Sequence, residues 1–199
     1  MRVKSRWFKS ERPKPPRQVA SAVAFIVWRV AQNALKRMRK AQFDIDTGPQ
    51  YFAFLAELLI FLVAISDRIV YARLAPEARE EFTTALAHRV GDIFGENEGE
   101  LLGVDAVGSK RRFIALLNER SAEYASFGYG PEGPDFGFVR YLANRVNDIM
   151  PPKDQAWAVA QVMESEAPEA VATVEKALRD LLAAGPRSEP RDRMRVSGE

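Results

Sequence analysis

Tyr51 to Ser66 is a run of sixteen residues with one charge, Glu57, and Asp67 and Arg68 follow it directly. A helix needs about 20 apolar residues to cross a bilayer, and a carboxylate in mid-span is costly in lipid. The run is too short for that, so it reads as a helix buried inside protein, with no transmembrane segment expected. Through about Leu74 its apolar residues fall on every side of a helical projection, the pattern of a helix surrounded by others. The rest of the chain has to cover it.

Glu57 is the exception inside that helix. A buried carboxylate either shifts its pKa upward or takes a partner. Arg68 stands three turns away, about 16 Å along the axis at about 1.5 Å per residue, so the counter-charge has to come from another helix. Arg29, Arg140 and Arg145 are the candidates, and a structural ion pair or hydrogen bond is expected in preference to a functional carboxylate.

Helical periodicity recurs along the chain. From Val19, residues Val23, Ile26, Val27, Val30 and Ala34 share a face, the first half of the helix reading as buried and the second as exposed. A loop from Asp44 to Gln50 follows. Ala75-Pro76-Glu77-Ala78 opens a helix with Phe82, Leu86, Val90 and Ile93 as its stripe, proline suiting the first helical position and Glu77, Glu80 and Glu81 the amino-terminal dipole. Further helices are expected near Ser109 to Ser126, Asp135 to Met150 and Asp154 to Ser165. Ala167-Pro168-Glu169-Ala170 repeats the helix opening, and Gly185-Pro186 stops that run. No strand-like alternation is present. The fold class is therefore all-α, a single globular bundle of five to seven helices around the central apolar helix. Residues 1–18 read as an extended, basic, proline-containing arm, 19–184 as the helical domain, and 185–199 as a disordered tail.

Charge is polarised along the chain. The first 42 residues hold twelve Lys/Arg against one acidic residue, Glu11, whereas the remaining 157 hold seventeen against twenty-six, so the overall +2 hides +11 and −9. Such a split draws an anion to one end or lets the two ends attract each other. The candidate binding residues are Arg2, Lys4, Arg6, Lys9, Arg12, Lys14 and Arg17 in the arm, with Lys36, Arg37, Arg39 and Lys40 on the helix after it. They would neutralise nucleic-acid phosphates, rest with Trp7 and Phe8 on an anionic bilayer, or dock on acidic protein surface of the same chain or a neighbour. No recognition-helix signature accompanies them, and solvated charge with an adaptor role is the preferred reading. Pro13-Lys14-Pro15-Pro16-Arg17 also resembles a proline-rich ligand for an aromatic groove.

Other constellations give way to plainer readings. Gly103 to Lys110 resembles a phosphate-binding loop, but Ser109 and Lys110 are transposed relative to that motif, so Ser109 is expected to cap a helix. His88, the single histidine, is expected to be exposed and paired with Asp92. One histidine cannot furnish the two Glu-x-x-His pairs of a helical di-metal site, so neither metal nor cofactor is expected. Phe127 to Phe138 holds four aromatics and four glycines, and rings that anchor a turning backbone are expected ahead of a ligand platform. The absence of cysteine excludes disulfides, thiolate nucleophiles and iron–sulfur ligation. Val19 to Trp28 is cut short by Arg29 without a cleavage site, so export is not expected. Together these features point to a cytoplasmic, non-enzymatic interaction or scaffold protein with protein partners. The alternative is an anion-binding protein that contacts nucleic acid or an anionic membrane surface through its amino-terminal arm and helix.

Overall fold

A computed structural model describes residues 14–183. Within them lie α1 (Pro16–Lys40), α2 (Pro49–Tyr71), α3 (Pro76–Leu102), α4 (Ala106–Tyr124), α5 (Phe136–Ile149), α6 (Pro152–Gln161) and α7 (Ala167–Leu182). A two-residue antiparallel ladder, β1 (Tyr129–Gly130) with β2 (Gly133–Pro134), is too short to show any alternation in sequence. The chain is thus an all-α bundle, and the expected fold class is what the structure shows.

Two kinds of start signal account for the helices. Proline stands in the first turn of α1, α2, α3 and α6, where its missing N–H has no intrahelical acceptor to lose, and α7 continues from α6. Aspartate opens the other two. Asp105 accepts from the amides of Val107 and Gly108, and Asp135 from that of Phe138, each satisfying orphan donors of the first turn.

Several expected boundaries move. Helix α1 begins at Pro16 instead of Val19, because Pro15 and Pro16 supply the entry geometry, and Arg17 therefore lies on the helix, outside any arm. The second half of α1 is not exposed as a whole: Ala31, Ala34, Leu35 and Met38 are buried, continuing the apolar face to the end. Ser109 is not a cap. It is a buried residue inside α4, and its hydroxyl accepts a bond from Arg112, while Asp105 performs the capping. Ala167-Pro168 does not restart a helix after a break. Helix α6 passes into α7 through a π turn, Val162–Glu166, in which Ala167 N–H donates to Val162 C=O. The wider turn accommodates Pro168, which has no N–H to continue the ordinary ladder. Arg2, Lys4, Arg6, Lys9 and Arg12, like the tail from 185 onward, lie outside the described residues.

Helix α2 is the centre of the bundle, with fifteen of its twenty-three residues buried. It packs against α1, α3, α4, α5 and α7. Helices α1 and α3 run parallel over it: Arg17 meets Glu81 and Arg89 lies over the Phe25 ring, both pairs 64 residues apart. Helices α3 and α4 then form a hairpin that turns at Gly103, which has a φ of +69° that only glycine adopts without strain.

Candidate functional site

The α3–α4 hairpin is closed at its tip and open at its far end. A Cβ placed on Gly95 would lie 2.4 Å from the Ala106 carbonyl oxygen, and one on Gly91 would lie 3.2 Å from the Ile114 side chain, so the backbones approach closely there. Away from the tip, Thr84 and Ala87 of α3 stand apart from Leu117 and Ser121 of α4. The space between them is a cleft of about 560 Å³, with Val63 and Ala64 of α2 contributing to its floor. That size and its mixed lining fall within the range of ligand-binding concavities.

At its rim Asp67 pairs with Arg79, Arg68 is held by backbone carbonyls, and Glu80 is exposed. Asp67 accepts from Arg79 Nε at 2.8 Å, Arg79 Nη2 at 2.6 Å and Thr83 Oγ1 at 2.8 Å. Its hydrogen bond to Asp67 raises the Arg79 pKa still further, and the guanidinium rests 4.8 Å from the centre of the Tyr71 ring. Arg68 Nη2 donates to the carbonyls of Tyr124, Ala125 and Phe127 at 3.2–3.3 Å, holding the end of α4, which forms the cleft's far wall. The Thr83 hydroxyl shares the Asp67 carboxylate with the Arg79 guanidinium, whose two bonds engage both of its oxygens.

Behind the cleft wall lies the buried carboxylate. Glu57 accepts from Arg120 Nε at 3.1 and 3.3 Å, with side-chain exposures of 7% and 14% for the two residues. The partner is therefore Arg120 of α4, not Arg29, Arg140 or Arg145; Arg145 acts only as a more distant positive charge. Burial pushes the Glu57 carboxyl above its ordinary value, with Arg120 opposing. Tyr124 beside it is buried and held well above the usual phenol range, first by desolvation and then by the charge on Glu57. Its hydroxyl has no hydrogen-bond partner among the described residues, so the phenol stays neutral here. Arg120 was legible in principle. Phe113, Leu117, Arg120 and Tyr124 follow 4-3-4 spacing, which sets the arginine on the buried stripe of α4.

The six proposed cations among the described residues do not form one patch. Arg17 pairs with Glu81 at 2.9 Å on an exposed surface. Arg37 is held by Glu166 and Glu169, each at 2.8 Å. Arg39 donates to the Ile45 and Asp46 carbonyls and lies over the Tyr51 ring. Lys14 is half-buried just before α1, while Lys36 and Lys40 are exposed. The acidic body thus takes up part of the positive end, one of the three outcomes its charge allowed.

Asp92 pairs with Lys110, not with His88, which stays exposed. Lys110, inside α4, is thereby engaged by α3, and the turn before it joins two helices with no strand feeding it. In the aromatic loop, Phe138 stacks on Tyr124 at 4.7 Å and Tyr129 donates its hydroxyl to Glu175 at 2.5 Å, so these rings anchor the backbone. Phe136 points outward, 69% exposed. Among the described residues no three His, Asp or Glu side chains gather as a metal site, and no helix is long and apolar enough to cross a membrane. Compared with family models, curated proteins and solved structures, the chain matches none.

Proposed function

We propose that the protein works by binding, as a non-enzymatic interaction or scaffold protein of the cytosol, and that the cleft between α3 and α4 receives side chains of a partner protein. One observation carries this reading: an apolar floor of Val63, Ala64, Ala87 and Leu117 lies beneath a rim on which Asp67 is held by Arg79 and Thr83. That combination favours docking of an apolar side chain, because the floor is apolar and the Asp67 carboxylate is already engaged by Arg79 and Thr83. A photo-cross-linking residue at the exposed Thr84, expressed in the source cell, is expected to yield a discrete protein adduct. Ala87→Trp, which grows into the cleft, is expected to abolish the adduct without lowering the melting temperature. An adduct that survives the plug, or none at all, overturns the reading.

The exposure of Lys36 and Lys40, neither ion-paired among the described residues, favours a second reading: anion binding by α1 together with the basic residues before it. Nucleic acid and anionic bilayers are its two targets. Affinity for DNA, RNA or anionic vesicles that falls steeply with salt, and drops when residues 1–13 are removed, is its signature. No binding at low salt ends it.

A further inference from the structure

On the other side of Arg68 from the cleft is a second recess, of about 470 Å³, between the end of α2, the β1–β2 hairpin and α7. Three guanidinium groups line it, Arg68, Arg73 and Arg179, against a single carboxylate, Glu175. Cations near helix ends are ordinary, and their usual role is to offset terminal carbonyls or to pair along the helix. The arrangement here departs from that. Glu175 precedes Arg179 by one helical turn, the spacing at which such residues commonly pair, yet its carboxylate accepts from the Tyr129 hydroxyl. Neither Arg73 nor Arg179 makes an ion pair or side-chain hydrogen bond among the described residues. Arg68 commits one nitrogen, Nη2, to carbonyls. The recess thus gathers positive charge that its own carboxylate does not neutralise. Tyr71, 67% exposed, adds a ring surface to the same wall.

We infer that this recess is a binding site for a phosphate monoester, with Arg73 and Arg179 clasping the dianion and Tyr71 meeting the group that carries it. A guanidinium presents paired donors that match phosphate oxygens, and two of them from separate elements suit a doubly charged group better than a carboxylate. The recess is larger than a bare phosphate requires, which leaves room for an organic group beside the ring.

The test is an NMR titration of the full chain with phenyl phosphate, inorganic phosphate and benzoate, following backbone amides and arginine Nε–H signals. Saturable shifts centred on Arg73, Arg179 and Tyr71 are expected, with phenyl phosphate the tightest of the three. Arg73→Gln with Arg179→Gln is expected to weaken phenyl phosphate by about tenfold or more, through loss of charge-assisted bonds, with thermal melting unchanged. Tyr71→Ala is expected to remove the advantage of phenyl phosphate over inorganic phosphate. Vesicles with and without phosphatidic acid separate the sources of the group: retention that depends on the same arginines assigns it to a lipid, and its absence to a soluble ligand. Shifts that do not saturate, that spread over surface arginines at large, or that persist in the double variant overturn the proposal.

Discussion

Arg120 of α4 donates to Glu57 of α2 across 63 residues of sequence, placing the one charge of the apolar run from Tyr51 to Ser66 in contact with the single arginine on the buried stripe of its neighbour. The pair ties α4 to the centre of the bundle. Removing one member of a buried pair leaves the other unpaired, so Arg120→Ala is expected to destabilise by about 3 kcal/mol or more, measured by chemical denaturation. Replacing both, as Glu57→Gln with Arg120→Met, is expected to recover most of that loss.

The pH dependence of the same pair has a definite sign. The folded-state pKa of Glu57 lies above its ordinary 4.5, so the native chain binds this proton more tightly than the unfolded chain. The site therefore contributes stability at low pH that is lost as pH rises through the folded value. Relative to Glu57→Gln, wild type is expected to gain stability as pH falls through the folded value toward the ordinary 4.5, the gain levelling off below that. Denaturation midpoints at several pH values check this, and the opposite slope would show that Arg120 outweighs burial.

The glycines of the α3–α4 hairpin differ in what they do. Gly95→Ala drives a Cβ into the Ala106 carbonyl, an obstacle that no rotamer change relieves. It is expected to cost about 3 kcal/mol even though alanine favours helix by about 1 kcal/mol. Gly103→Ala meets nothing within 4 Å and is strained only by its positive φ, so about 1 kcal/mol is expected, less for Gly103→Asn. Thermal melting of the three variants separates crowding from backbone strain.

Asp135 joins the two ends of the aromatic loop, accepting from Phe138 N–H at 2.8 Å and Gly128 N–H at 2.7 Å. Those bonds, that of Phe138 foremost, hold its carboxyl below the ordinary 3.8. With the folded pKa depressed, its stabilisation is present above 3.8 and lost as pH falls through the folded value. Asp135→Ala is expected to cost about 1–2 kcal/mol at neutral pH and progressively less in acid. A cost that does not shrink in acid would contradict the capping role.

Two arginines of α1 offer a direct comparison. Arg37 faces Glu166, which is 1% exposed, whereas Arg17 faces Glu81 with both side chains open to water. Arg37→Ala is expected to cost about 3 kcal/mol, because a buried carboxylate loses its counter-charge and keeps only the Gln161 amide. Arg17→Ala is expected to cost about 0.5 kcal/mol or less. Equal losses in denaturation would refute the distinction that burial draws between them.

Local chemistry determined much of this protein before any folding. The apolar circumference of Tyr51 to Leu74 required a surrounding bundle, the stripes of Phe82 to Ile93 and Val139 to Ile149 set their helices' inner faces, and Pro76 marked a start that held. Only the tertiary structure decided that Arg120 meets Glu57, that Arg37 is taken by Glu166, and that α3 and α4 touch at Gly95 but part at Ala87. Periodicity shows which face of a helix turns inward, because that depends on residues within a few turns. Which inward faces meet, and how closely, depends on how side chains distant in sequence share one close-packed volume, so the cleft and the recess arise from packing.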